Sequence, residues 1–145
     1  MRIETYKTYL RKIRSFARLC QVEIEFVPKY DEGGEYNPDK RKVVIDNRLT
    51  RAEKISTLLH EFGHFMDDSS TNRFSNRHHF YGYDKLEKEI KQMTHNQKLY
   101  VWESELAAWQ NAQALAKMIK IPLGKWFFRD QTSSLNSYRG IKIKE

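Results

Sequence analysis

Thiols are almost missing from this 145-residue chain: Cys20 is its single cysteine, which excludes an intrachain disulfide and a cysteine-built zinc cluster. Long apolar runs are missing too, since none approaches the roughly 20 residues needed to span a bilayer. The first twenty residues are not built like a secretory leader. Their apolar positions Ile3, Tyr6, Leu10, Ile13, Ala17 and Cys20 are interleaved with Arg and Lys at helical spacing, which reads as an amphipathic helix. Internal repeats and low-complexity segments are also lacking. The expected setting is the cytoplasm, with no membrane partner.

What is present is enough for one core. A chain of this length makes a single domain over residues 1–145, large enough for a core but not for two. Hydrophobic residues at 39% and aromatics at 13% argue against disorder. The net charge is +7, with basic residues at Arg2, Lys7, Arg11, Lys12, Arg14 and Arg18, at Lys40-Arg41-Lys42, and from Lys117 to Lys144. Such charge suits nucleic acid or an acidic partner. Because it is scattered and no known nucleic-acid module accompanies it, a solvated surface is the preferred reading. No feature sets an oligomeric state.

Along the chain, Val22 to Val27 alternates like a half-buried strand closed by Pro28, and Asp31 to Glu35 reads as a mobile connection. Lys42 to Asp46 is a second short strand. Thr50-Arg51-Ala52-Glu53 then has the form of a capping box that starts a helix. Asp67 to Asn72 reads as a helix stop and loop. Helical signals return from Asp84 to Met93, and a long helix runs from about His95 to Lys120, entered through Thr94 and stopped by Pro122 and Gly124. Trp126, Phe127, Phe128, Leu135, Tyr138, Ile141 and Ile143 give the tail enough apolar surface to pack back on the body.

The capped helix carries His60-Glu61-Phe62-Gly63-His64. Positions i and i+4 share a helix face, so the two imidazoles can grip one metal ion while Glu61 projects beside it. Ile55, Leu59, Phe62 and Met66 recur at helical spacing through the motif. Two imidazoles and a carboxylate in such a run are costly to bury unless something binds them. The competing reading is a pair of hydrogen-bonded core histidines.

A catalytic zinc usually has three protein ligands and a position left for water. On the long helix, Val101, Trp102, Ala108, Trp109, Ala112, Ala116 and Ile119 spread around one face at about 100° per residue, with Glu105 near its centre. Glu103 falls on the opposite side, with Gln110 and Lys117. A carboxylate on an apolar face needs a partner, either a zinc ion or an Arg or Lys. Alanines at 107, 108, 112, 114 and 116 would let two helices approach closely.

With these residues the chain resembles the gluzincin group of zinc metallopeptidases, and more narrowly the small IrrE/ImmA-type enzymes and their phage-encoded relatives. The resemblance covers roughly residues 20 to 120. It rests on the His-Glu-x-x-His motif and on Glu103-Ser104-Glu105-Leu106-Ala107-Ala108-Trp109, where Leu106 stands in place of the expected small residue. It implies an α+β fold of minimal zincin type, with helices packed on a small sheet. It further implies Zn²⁺ held by His60, His64 and Glu105, Glu61 as general base, and a protein or peptide substrate. In small zincins a strand beside the metal helix pairs with extended substrate, and Val43 to Asp46 is the candidate for that edge. A second resemblance, to SprT-like DNA-associated proteases, would put the third ligand at His79 or His78.

Zinc so bound would lower the pKa of a water and polarise the scissile carbonyl, with Glu61 passing the water's proton to the leaving amine. Asp67 or Asp68 could orient an imidazole, although a solvated helix end suits them better. Tyr81, Tyr83 and His95 are the candidate oxyanion donors. Two other classes compete: a zinc-binding regulator that acts by contact, which would not need Glu61, and a metal-free helical domain.

Overall fold

The computed structural model describes residues 1–73, 75 and 95–138. Within them lie helix α1 (Ile3–Cys20), strands β1 (Glu23–Val27), β2 (Gly34–Asn37) and β3 (Lys42–Asp46), and helices α2 (Arg51–Thr71), α3 (His95–Met118) and α4 (Lys125–Ser137). This is a small α+β arrangement, as expected. The helical reading at 84–93, the Thr94 cap and the tail residues Ile141 and Ile143 lie outside the described residues. No described helix is long and apolar enough to cross a membrane.

The amphipathic first helix buries Ile13 and Ala17 and packs Tyr6, Tyr9, Leu10 and Phe16 against the same core. Gln21 ends it in the left-handed region, its N–H bonding back to the last turn. The chain then enters β1, which pairs in parallel with β3, Glu23 opposite Lys42 through Val27 opposite Asp46. Strand β2 pairs antiparallel on the other side, Gly34 opposite Ile45 and Asn37 opposite Lys42.

The sheet order β1-β3-β2 corrects two expectations. Val43–Asp46 is the central strand and cannot offer an edge; β2 is the edge on that side. Val43 and Ile45 are fully buried, and β3 is hydrogen-bonded to β1 on one side and to β2 on the other. The expected connection at 31–35 is also partly strand. Gly33 makes the turn at φ 85°, and its carbonyl accepts from the Asp46 N–H at 2.8 Å, which starts the antiparallel ladder.

Helix α2 runs through the middle of the molecule. Its capping box is complete: Thr50 Oγ1 accepts from the Glu53 N–H at 3.2 Å, and Glu53 accepts from the Thr50 N–H at 2.9 Å, an arrangement worth about 1 kcal/mol. Ile55, Leu58, Leu59 and Phe62 are fully buried, each contributing about 1.5–3 kcal/mol by leaving water. The helix does not stop at Asp67. Ser69, Ser70 and Thr71 turn their hydroxyls back onto the carbonyls of Phe65, Met66 and Asp67, so these polar side chains satisfy themselves on the helix instead of breaking it. Asn72, at φ 56°, ends it one turn later.

Candidate metal centre

His60 and His64 stand on the third and fourth turns of α2 with their ring centroids 4.7 Å apart. Helix α3 lies across that face. The residue that allows the approach is Gly63, where a Cβ would sit 2.0 Å from the Ala108 carbonyl oxygen. Asn111 reinforces the crossing by donating to the Gly63 carbonyl at 3.2 Å. The alanines of α3 supply one side of this approach, and Gly63 on the facing helix is equally required. A glycine inside a helix costs about 1 kcal/mol relative to alanine, and that cost was the available signal.

The crossing delivers Glu105. Its Oε2 lies 2.8 Å from His60 Nε2 and its Oε1 lies 3.4 Å from His64 Nε2. One donor atom from each of the three side chains falls within 4.8 Å of the others. Ligands held about 2 Å from a tetrahedral ion stand roughly 3.3 Å apart, so His60, His64 and Glu105 are positioned to form a metal site. Two imidazole nitrogens and a carboxylate oxygen are a donor set that suits zinc. Glu105 is buried on the inward face, and Glu103, Gln110 and Lys117 are exposed on the other, as helical spacing requires. Ser104 and Leu115 are fully buried as well, so the inward face is wider than the sequence reading made it. His78 and His79, and with them Tyr81 and Tyr83, lie outside the described residues.

Two aromatic and acidic neighbours shape the site further. Trp109, one turn after Glu105, stacks on the His60 ring at 4.4 Å and 18°, and its indole N–H donates to Ser134 Oγ at 3.1 Å. Glu61 is buried, with Oε1 3.3 Å from His60 Nδ1. Burial works against charge on both imidazoles. For His60 the carboxylates of Glu105 and Glu61 more than offset it and push the pKa well above the ordinary value. For His64 burial prevails and the pKa falls. On β2, burial pushes the Glu35 pKa up and the nearby Glu61 carboxylate adds to that, while the Tyr30 hydroxyl opposes it by hydrogen bonding.

The two aspartates after the motif are not a solvated helix end. Asp67 is buried, pairing with Arg73 at 3.5 Å and accepting from Thr71. Asp68 accepts from the backbone N–H and hydroxyl of Ser75, each at 2.7 Å. His95 is exposed at the start of α3 and does not line the cleft.

The cleft above the triad holds about 350 Å³. Its lining includes Gly33 and Gly34, His60, Glu61 and Glu105, and Ser133, Ser134 and Ser137 of α4 with the capping residue Tyr138. Tyr138 was expected only as apolar tail packing; its place in the cleft follows from the fold of α4, and no local pattern marks it.

The sequence that builds this site has a counterpart among known families. The sequence model for the IrrE N-terminal-like domain, a peptidase family, matches residues 19–114. The chain belongs to that family. The match takes in the sheet, α2 and α3 through Ala114, so the whole triad falls inside the IrrE N-terminal-like region. Helix α4 falls outside it. No curated protein and no solved structure matches the chain.

Proposed function

We propose that the chain is a zinc-dependent metallopeptidase that hydrolyses peptide bonds in a protein or peptide substrate. The observation that carries this reading is the convergence of His60, His64 and Glu105 next to a buried Glu61, with His60, Glu61 and Glu105 lining an open cleft. A structural zinc site is closed by a fourth protein ligand, whereas a catalytic one keeps a position open; among the described residues the group has three members.

His60, His64 and Glu105 would hold the ion. When bound, zinc supplies a Lewis acid for the scissile carbonyl and makes water nucleophilic at neutral pH. Glu61 is the general base. It takes the proton from the attacking water as oxygen adds to the carbonyl carbon, then gives that proton to the amine nitrogen as the C–N bond breaks. Trp109 holds the His60 ring in plane by stacking, and the Glu61 carboxylate faces the other ring nitrogen. Strand β2, an outer strand of the sheet among the described residues, is the strand that an extended peptide would pair with; Gly33 and Gly34 line the cleft beside it.

The test is the full chain loaded with zinc and given fluorescein-labelled casein, beside the Glu61→Gln variant. Both should bind one zinc. The wild type should cleave, and the variant should be slower by about 10²–10⁴-fold, the usual worth of a positioned acid–base group. Equal rates for the two, or no cleavage by the zinc-loaded wild type, would overturn the reading.

A further inference from the structure

We infer that the Tyr138 hydroxyl is a catalytic hydrogen-bond donor to the oxyanion that develops on the scissile carbonyl during peptide hydrolysis. The inference rests on the metallopeptidase reading above and adds a residue beyond the matched region at 19–114.

Position is the first argument. Tyr138 Oη donates to Glu105 Oε1 at 3.4 Å, and that same oxygen lies 3.4 Å from His64 Nε2. The hydroxyl therefore stands at the rim of the triad and in the wall of the cleft. Two other hydroxyls of that lining are engaged elsewhere. Ser134 accepts from Trp109, and Ser137 donates to the Ser134 carbonyl at 2.6 Å.

Pre-organisation is the second. Helix α4 is fastened to the motif helix and to α3 along its length. Phe127 is fully buried with its ring 5.5 Å from that of Trp109. Asp130 accepts from Ser56, Gln113 donates to Gln131 at 2.7 Å, and Ser134 holds Trp109. Tyr138 caps this helix, with its N–H bonded to the Leu135 carbonyl at 3.1 Å. A donor carried by a rigid element needs little reorganisation when charge appears, which is where oxyanion stabilisation gains its effect.

Chemistry is the third. A phenol keeps its proton at neutral pH. The Glu105 carboxylate carries the same charge before and during the reaction, whereas the carbonyl oxygen acquires negative charge only as the attacking oxygen adds. The Tyr138 O–H thus gains more from the transition state than from the resting contact with Glu105, as differential stabilisation requires.

The experiment compares wild type and Tyr138→Phe as zinc-loaded full chains, with three readouts: zinc affinity, calorimetric binding of the tetrahedral mimic N-phosphoryl-Leu-Trp, and cleavage of fluorescein-labelled casein. The expected result is zinc affinity lowered far less than mimic binding, mimic binding weaker by about 100-fold, and kcat lower by a similar factor with KM little altered. Unchanged mimic binding overturns the assignment. So does a matching loss of zinc affinity, which would make Tyr138 a residue that positions Glu105. A wild type that binds zinc yet neither binds the mimic nor cleaves casein overturns the metallopeptidase reading, and this inference with it.

Discussion

Gly63 and Ala108 meet backbone to backbone: a Cβ built on Gly63 would lie 2.0 Å from the Ala108 carbonyl oxygen and 2.8 Å from its carbonyl carbon. Gly63 is flanked by Phe62 and His64 on α2, and Ala108 lies one turn beyond Glu105 on α3. The contact therefore sets how far the Glu105 carboxylate stands from the two imidazoles.

The first prediction concerns that contact. Glycine to alanine inside a helix is ordinarily stabilising by about 1 kcal/mol, but here the methyl would meet backbone that cannot swing aside. Overpacking of this kind costs about 1–3 kcal/mol or more. Gly63→Ala should lower the thermal midpoint and leave the protein substoichiometric in zinc, as seen by calorimetry and metal analysis. A variant that is more stable and still binds one zinc would show that the helices have room to part.

Glu105 and Glu103 form a matched pair for testing the third ligand, two residues apart and on opposite faces. Glu105→Gln should weaken zinc binding by more than the roughly 100-fold that loss of an outer hydrogen-bond partner can cause. Glu103→Gln should leave affinity alone, and so should His79→Ala. Competition with a chelator reads all three. Intact affinity in Glu105→Gln with loss in His79→Ala would move the ligand to the histidine.

Zinc uptake should release a proton from His60. In the metal-free protein the Glu105 and Glu61 carboxylates, working against burial, raise the pKa of that imidazole, so it holds its proton at neutral pH. A metal needs the unprotonated nitrogen, and affinity must therefore rise with pH until His60 loses its proton unaided. Calorimetry in two buffers of different ionisation enthalpy should count about one proton per zinc near pH 7. No proton release, or affinity that is flat with pH, would contradict the His60 assignment.

Tyr36 predicts the alkaline limit of stability. Burial, assisted by the Asp68 carboxylate, pushes its pKa up to about 12 from the ordinary 10.0. A group with a raised folded pKa stabilises fully below its unfolded pKa and loses that contribution as pH rises through the folded value. The wild type should lose stability between about pH 10 and 12 on this account. Tyr36→Phe should lose less over the same window in denaturant titrations, and parallel curves for the two proteins would refute the account.

Much of the site was legible because metal ligation imposes strict spacing. The four-residue interval of His60 and His64, the Thr50 cap and the placement of Glu105 against Glu103 all follow from the geometry of single helices, and the fold keeps each of them. The edge strand was misassigned because strand order is set by which strands pair, and the apolar pattern of β3 does not reveal that β1 and β2 both pair with it. Strand β2 escaped notice because Gly33 and Gly34 look like a loop until Gly34 is seen against Thr57, where a Cβ would lie 2.5 Å from the methyl. The serines at the end of α2 misled because their hydroxyls break a helix or fold onto it according to local backbone geometry.

By itself the sequence determined the chemistry on offer: two imidazoles and a base on one helix face, a carboxylate stranded on another, and a charge and cysteine content compatible with both. These are local facts, set by the 3.6-residue helical repeat and the cost of burying charge. Only the tertiary structure decided which of these groups meet. The Gly63–Ala108 crossing sets the reach of Glu105, Trp109 fixes the His60 ring, and α4 brings Tyr138 to the triad from 33 residues away along the chain. The reason is packing: contacts between distant segments depend on how whole helices fit together, and no short-range pattern encodes that fit.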